Sequence, residues 1–205
     1  MSIQTLAEMA QKRPRTAWEV ALLLPNQGDW SEEEYLWLTN HTNHLVEYSN
    51  GYIEVLPMPT DRHQAILAYL FLIFNAWAER IGGKVRFAPL RVRISARKFR
   101  EPDLVFLLSA DDPRRQDAYW QGADLVVEIV SPDDPKRDLV KKRREYAHVG
   151  IPEYWIVHPR TETITVLRLE GKSYVEHGAF KRGETATSAL LDGFSVSVDA
   201  ALEAK

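Results

Sequence analysis

Asp103 and Glu128 are the residues whose positions call for a chemical explanation. Each is a lone carboxylate near one end of a short aliphatic run, EPDLVFLL over residues 101–108 and ADLVVEIV over residues 123–130, and both runs read as buried β-strands. An ionised carboxylate in a dry core is costly unless it is paired or bound to a cation. Strand alternation puts Asp103 on a face with Val105 and Leu107, and Glu128 on a face with Val126 and Val130. Asp103 lies near the start of its strand, just after Pro102; Glu128 lies near the end of its own, just before Ser131-Pro132. Two acids so placed can sit at a sheet edge and share one divalent cation. Hard oxygen donors of this kind suit Mg²⁺ or Mn²⁺, which keep several waters and can bring one of them to a phosphate. Taken singly, each acid is more often an exposed residue at a strand terminus or the partner of an arginine, so a third group has to decide.

That group is Lys142. A helix fits residues 136–148, between Pro135 and the Gly150-Ile151-Pro152 break. With a rotation of about 100° per residue and Leu139 and Tyr146 on the core-facing line, Lys142 and Arg143 flank that line while Lys141 points to the wet face. An ammonium turned inward there could orient a water, lower its pKa or stabilise charge developing on a phosphate; an isolated lysine in such a place more commonly covers the core edge with its stem. Asp138, four residues earlier, reads as its helix-face partner. Glu47 sits on a strand among alternating apolar residues, and His63 shares a helical stripe with Ile66, Leu67 and Leu70. On its own that histidine reads as a hydrogen-bonded core residue. His41 and His44 have a zinc-compatible spacing but lie in an expected loop without a third ligand.

Other chemistries are excluded or unsupported. With no cysteine, thiolate metal sites, disulfides and a Cys nucleophile are all unavailable. No nucleophile elbow, Walker loop or dinucleotide fingerprint occurs, and an acyl hydrolase lacks a nucleophile. The formal net charge of −3 gives no global basic field, so a polyanion must be met by a local patch. Two basic stretches adjoin the acids: Arg91, Arg93, Arg97, Lys98 and Arg100 before the first strand, and Lys136, Arg137, Lys141, Lys142, Arg143 and Arg144 in the helix. No apolar run approaches the length of a membrane span and no secretory signal opens the chain, so a soluble, cytoplasmic protein is expected.

The elements that must position these groups follow from local pattern. The 205 residues suit one core, hence one domain, with residues 1–28 as an extension and 29–200 as the core. Ser31 stands three residues before Glu34, the spacing of a capping box, and a short helix should follow. Asn50-Gly51 between LVEYS and YIEVLP predicts a β-hairpin over residues 45–56. Apolar spacing predicts a helix from Asp61 to Arg80 that stops at Gly82-Gly83. KVRFAPLRVRI alternates over residues 90–94 like a strand with one wet face, the two acid-bearing runs should be central, and EYWIV, TITVLRL and KSYVEHG read as further strands. Strands interrupted by two helices predict an α/β or α+β fold, a central mixed sheet flanked by helices.

The strings EPDLVFL, ADLVVEIVSP and RDLVKKRREYAHVGIPEYWIVHP are very similar to the Uma-two family of restriction endonuclease-like proteins, within the PD-(D/E)XK nuclease superfamily. The likeness extends upstream through GDWSEEEYLWL and EYSNGYIEVLPMPTDRHQ, from about residue 24 to residue 200. It implies a restriction endonuclease-like fold and metal-dependent hydrolysis of DNA phosphodiester bonds. The family's two motif acids fall on Asp103 and Glu128, which would hold Mg²⁺ or Mn²⁺ together with a backbone carbonyl near Ile129. The superfamily's lysine, two residues after the second acid, is replaced here by Val130; the resemblance places it on Lys142 instead. The family's upstream glutamate and helix-start histidine match Glu47 and His63, which would bind a second metal or orient substrate. His158 stands where the family usually has Asp. The rival expectation is a nuclease fold kept only for binding nucleic acid or protein, in line with the acidic total charge and the absent strand lysine. Cutting both strands of a duplex would make a homodimer natural.

Overall fold

The computed structural model describes residues 24–132 and 134–205; of the expected N-terminal extension, residues 1–23 lie outside the described residues. The first helix, α1 (Glu32–Thr39), begins at Ser31 with the expected capping box: the Ser31 hydroxyl accepts from the Glu34 N–H, and the Glu34 carboxylate accepts from the Ser31 N–H. Strands β1 (Val46–Ser49) and β2 (Tyr52–Val55) form the expected hairpin, with φ of 50° at Asn50 and 91° at Gly51, the paired positive values of a tight turn. The Gly51 carbonyl accepts from the N–H groups of Gly28 and Trp30, which ties the preceding segment to the turn. The long helix α2 (Asp61–Ile81) is capped by the Thr60 side chain and stops at Gly82, whose φ is 73°.

KVRFAPLRVRI splits into two strands. Its first part is β3 (Lys84–Phe87) and its second β4 (Val92–Ser95), parted at Pro89, and the two belong to different sheets. A short strand that the pattern did not announce, β5 (Lys98–Arg100), joins β4 to the hairpin in a four-stranded sheet ordered β2-β1-β5-β4. The six-stranded sheet is ordered β10-β9-β8-β7-β6-β3 and includes β6 (Leu104–Leu107), β7 (Leu125–Ile129), β8 (Glu153–His158), β9 (Thr163–Glu170) and β10 (Ser173–Lys181). The two acid-bearing strands are central in it, as expected. Strands β7 and β8 run parallel, and the segment between them supplies the crossover helix that such a pair needs.

That crossover departs from a regular α-helix. Arg137–Lys142 winds as a π-helical stretch and only Arg143–His148, α3, is α-helical. The looser winding lets Asp138 and Lys142 both turn inward; π-helical insertions are frequent where side chains must be aimed. Two three-residue strands, β11 (Thr185–Thr187) and β12 (Ser195–Ser197), and a terminal helix, α4 (Val198–Leu202), complete the order. They are too short to show a period, and pack by Phe194, Val196 and Leu202 onto the α2 side of the sheet.

The six-stranded sheet separates two cores. Ile66, Leu70 and Phe74 of α2 pack on Leu104, Phe106, Leu125 and Val127, whereas Tyr146 and Ala147 of α3 pack on Val105, Val126 and Tyr154. A third cluster, Trp30, Tyr35, Val46, Tyr48 and Phe99, holds α1 on the small sheet. Among the described residues, no helix is long and apolar enough to cross a membrane.

Candidate active site

Strand register brings the two acids together. Leu104 pairs with Val127 across antiparallel β6 and β7, so the next positions outward, 103 and 128, face each other and share one side of the sheet. That side is the α3 side, occupied by Val105, Leu107, Val126 and Val130, as alternation predicts. Glu128 is buried; Asp103 is partly exposed at the sheet margin. The Ile129 N–H donates to Asp103 Oδ2 at 2.6 Å, and His63 Nε2 lies 3.3 Å from Asp103 Oδ1. His63 reaches there because Thr60 caps α2, fixing its first turn beside the ends of β6 and β7.

Glu128 is held by the crossover helix. Lys142 Nζ donates to Glu128 Oε2 at 2.9 Å, and the Tyr146 hydroxyl donates to Oε1 at 2.6 Å. Lys142 is only 2% exposed and has two more acids in reach, Glu47 Oε1 at 3.2 Å and Asp138 Oδ1 at 3.5 Å. Glu47, projecting from β1, lies 3.6 Å from Arg100 Nε, and Arg100 in turn makes two short bonds to Glu145, of 2.8 and 2.7 Å. A continuous buried network therefore runs Glu145, Arg100, Glu47, Lys142, Glu128, Tyr146. It joins β5, the β1–β2 hairpin, the crossover helix and β7.

Burial and the neighbouring acids set the charges. Burial alone would lower the Lys142 pKa, but Glu128, Glu47 and Asp138 outweigh it and hold the ammonium charged well above its ordinary range. Glu128 is pushed up to about 8 by burial, against the pull of Lys142, with Asp138, Asp103 and Glu47 adding to the rise. These directions agree, because three buried carboxylates share one ammonium and the surplus negative charge favours both a charged lysine and an added cation or proton. Burial and the charge of Glu47 also raise Glu101, to about 8. At His63, burial works downward, and the hydrogen bond and charge of Asp103 outweigh it and raise the imidazole pKa.

Four of the five expected site residues, His63, Asp103, Glu128 and Lys142, line one cleft of about 50 Å³ together with Glu101, Arg137 and Asp138. Glu47 stands behind it, touching Lys142. Among the described residues no three acids or histidines are already arranged as a complete metal cage. The donor chemistry nevertheless fits a hard cation: carboxylates predominate, and Glu47 Oε2, His63 Nδ1 and Asp138 Oδ1 are buried without hydrogen-bond partners.

Asp138, Glu101, Arg100, Arg137 and Tyr146 belong to this constellation although the sequence did not nominate them. Asp138 and Tyr146 carried a signal, at four residues before and after Lys142; Arg100 was hidden inside a basic run. His41 and His44 do not join it. His41 stacks on Trp37 and lies 2.7 Å from its carbonyl, and His44 lines a separate pocket with Arg91. His158 accepts from the Thr161 N–H at 3.4 Å, which makes it a turn residue at the end of β8.

The fold is thus a mixed sheet with helices on both faces and an acidic cleft beside its central strands. The solved structure of a "putative nuclease belonging to DUF820" from Anabaena variabilis ATCC 29413 superposes with a TM-score of 0.65, covering 92% of this chain and 98% of that one at 18% identity, which establishes a shared fold. No curated protein matches the chain. Residues 32–199 match the sequence profile of Uma2, described as "Putative restriction endonuclease", and the chain belongs to that family.

Proposed function

We propose that the protein is a metal-dependent endonuclease that hydrolyses DNA phosphodiester bonds in the cytoplasm, with residues 29–200 acting as one domain. The observation that carries the proposal is the convergence of Asp103 and Glu128, opposed across β6 and β7, with Lys142 Nζ 2.9 Å from Glu128. Asp103 and Glu128 would hold Mg²⁺ or Mn²⁺, with the carbonyl side of Ile129 completing the protein ligands. Bound there, such an ion neutralises phosphate charge and lowers the pKa of a coordinated water.

The chain's own residues do the positioning. The Ile129 N–H fixes one oxygen of Asp103 and leaves the other facing His63 and the cleft. Lys142 balances Glu128 and offers positive charge to an oxyanion at the cleft floor, while Glu47 and Asp138 hold its ammonium in place. A cleft of about 50 Å³ has room for about one or two waters and not for a nucleotide, so the scissile phosphate must dock at the mouth. Asp103 and His63, with side chains 15% and 14% exposed, stand at that mouth, where His63 can orient substrate or serve a second ion. Cutting both strands calls for a symmetric pair of chains, one site per strand.

A second reading, a nuclease fold kept for binding without turnover, is favoured by one observation: Glu128 is already fully engaged by Lys142 and Tyr146. Incubation of purified protein with plasmid and linear DNA, Mg²⁺ or Mn²⁺ separates the two. Cutting that Asp103→Ala abolishes supports the nuclease; cutting that survives in that variant removes the assignment. A native chain that neither cuts nor gives calorimetric heat with either ion supports the binding reading.

A further inference from the structure

The crossover helix walls two concavities. One is the acidic cleft, reached by Arg137, Asp138 and Lys142; the other is a groove of about 910 Å³ on its other side, which shares no lining residue with the cleft. The groove is bounded by Ser95 and Lys98 near the β4–β5 turn, by the outward face of the helix, and by Lys172, Ser173 and Tyr174 at the β9–β10 turn. Six basic side chains, Lys98, Lys136, Lys141, Arg143, Arg144 and Lys172, line it against a single acid, Glu145. Glu145 is itself spent on Arg100 and Lys98, and Lys141 is paired with Glu54. Lys136, Arg143, Arg144 and Lys172 have no acidic partner among the described residues, although the chain as a whole carries a net charge of −3.

We infer that this groove is a phosphate-backbone tract that holds nucleic acid outside the catalytic cleft. A solvated charge run on a helix would spread around its free face. Here basic residues from the helix, from Lys98 beside the β4–β5 turn and from Lys172 at the β9–β10 turn line one concave surface, where their fields add. Lysine and arginine ammonium and guanidinium groups without base-reading partners bind the backbone and not the sequence. An acidic protein segment offers the same charge, and Ile94, Val140, Ala147, Val149 and Tyr174 also line the groove; Ile94, Ala147 and Tyr174 are buried, however, and with six cations facing one acid a polyphosphate is the better match. From the nuclease reading the inference takes only the class of polymer; the groove needs no turnover to bind.

The test is fluorescence anisotropy with a labelled 20-base-pair DNA duplex over a series of salt concentrations, using native protein, Arg168→Ala, an exposed arginine outside the groove, and the triple variant Lys136→Ala/Arg144→Ala/Lys172→Ala. All three groove positions are exposed, so the triple variant should keep the native melting temperature. The expected result is at least a tenfold loss of affinity in the triple variant, with the slope of log K against log salt shallower by about 2–3. Arg168→Ala should bind as the native chain does. In the triple variant any cutting should retain its rate at saturating DNA and show a raised KM. Unchanged affinity and slope in the triple variant would overturn the groove while leaving the nuclease reading intact. Polyglutamate competing as well as DNA at equal charge would also overturn it, in favour of an acidic protein.

Discussion

Lys142 and Glu128 meet at 2.9 Å with both side chains buried, one from a π-helical turn and the other from the central strand β7. The pair is part of a charge cluster in which the lysine also faces Glu47 and Asp138. Such a cluster is expensive to desolvate and is held by mutual compensation, so its members cannot be removed singly at low cost.

Lys142→Met should therefore destabilise the fold by about 3–5 kcal/mol at neutral pH, because it leaves buried carboxylates without their cation. Adding Glu128→Gln to it should recover part of the loss. Urea denaturation of the two single variants and the double variant gives the coupling; additive losses would show that the two residues do not act as a pair.

Divalent cations should stabilise the native protein. Mg²⁺ or Mn²⁺ at about 100 times its dissociation constant should add about 2.7 kcal/mol, seen as a rise in Tm. The rise should vanish in Asp103→Asn and in Glu128→Gln. A rise of equal size in all three proteins would place the ion elsewhere.

Glu145 gives an acid-side prediction. Burial works against its charge, but the hydrogen bond and charge of Arg100, with those of Lys98, hold its carboxyl below the ordinary value of 4.5. A depressed folded pKa contributes stability that is present above the unfolded pKa and lost as pH falls through the folded one. Glu145→Gln should cost about 1–3 kcal/mol at pH 7, with Arg100 left short of a partner, and should show a shallower loss between about pH 5 and 3 than the native chain. Paired urea titrations at both pH values measure the difference, and parallel losses would exclude Glu145 as a source of acid sensitivity.

Gly51→Ala tests the support of Glu47 at a distance. Gly51 has a φ of 91°, and a methyl group there would run into the Gly28 carbonyl, whose backbone is bonded to the same turn. The substitution should cost about 2–4 kcal/mol and displace β1, which carries Glu47. Gly82→Ala also sits at positive φ but meets no atom within 4 Å, so its smaller loss separates backbone strain from steric collision. Thermal denaturation of both variants compares the two; equal losses would remove the steric explanation.

The sequence by itself determined the elements whose signal is local. The Ser31–Glu34 capping box, the Asn50-Gly51 turn, the stripe Ile66, Leu67, Leu70 and Phe74, and the alternation that sets Asp103 and Glu128 on one kind of face each depend on residues a few positions apart. The inward turn of Lys142 was legible for the same reason, although the helix that achieves it is π-wound and not regular. Tertiary structure alone decided what those side chains meet. Register across β6 and β7 made Asp103 and Glu128 neighbours, a strand of only three residues delivered Arg100 to Glu47, and one helix divided the basic run between an acidic cleft and an open groove. Charge compensation acts through space between segments as far apart as residues 47 and 142, and no local pattern encodes which cation a buried acid will find.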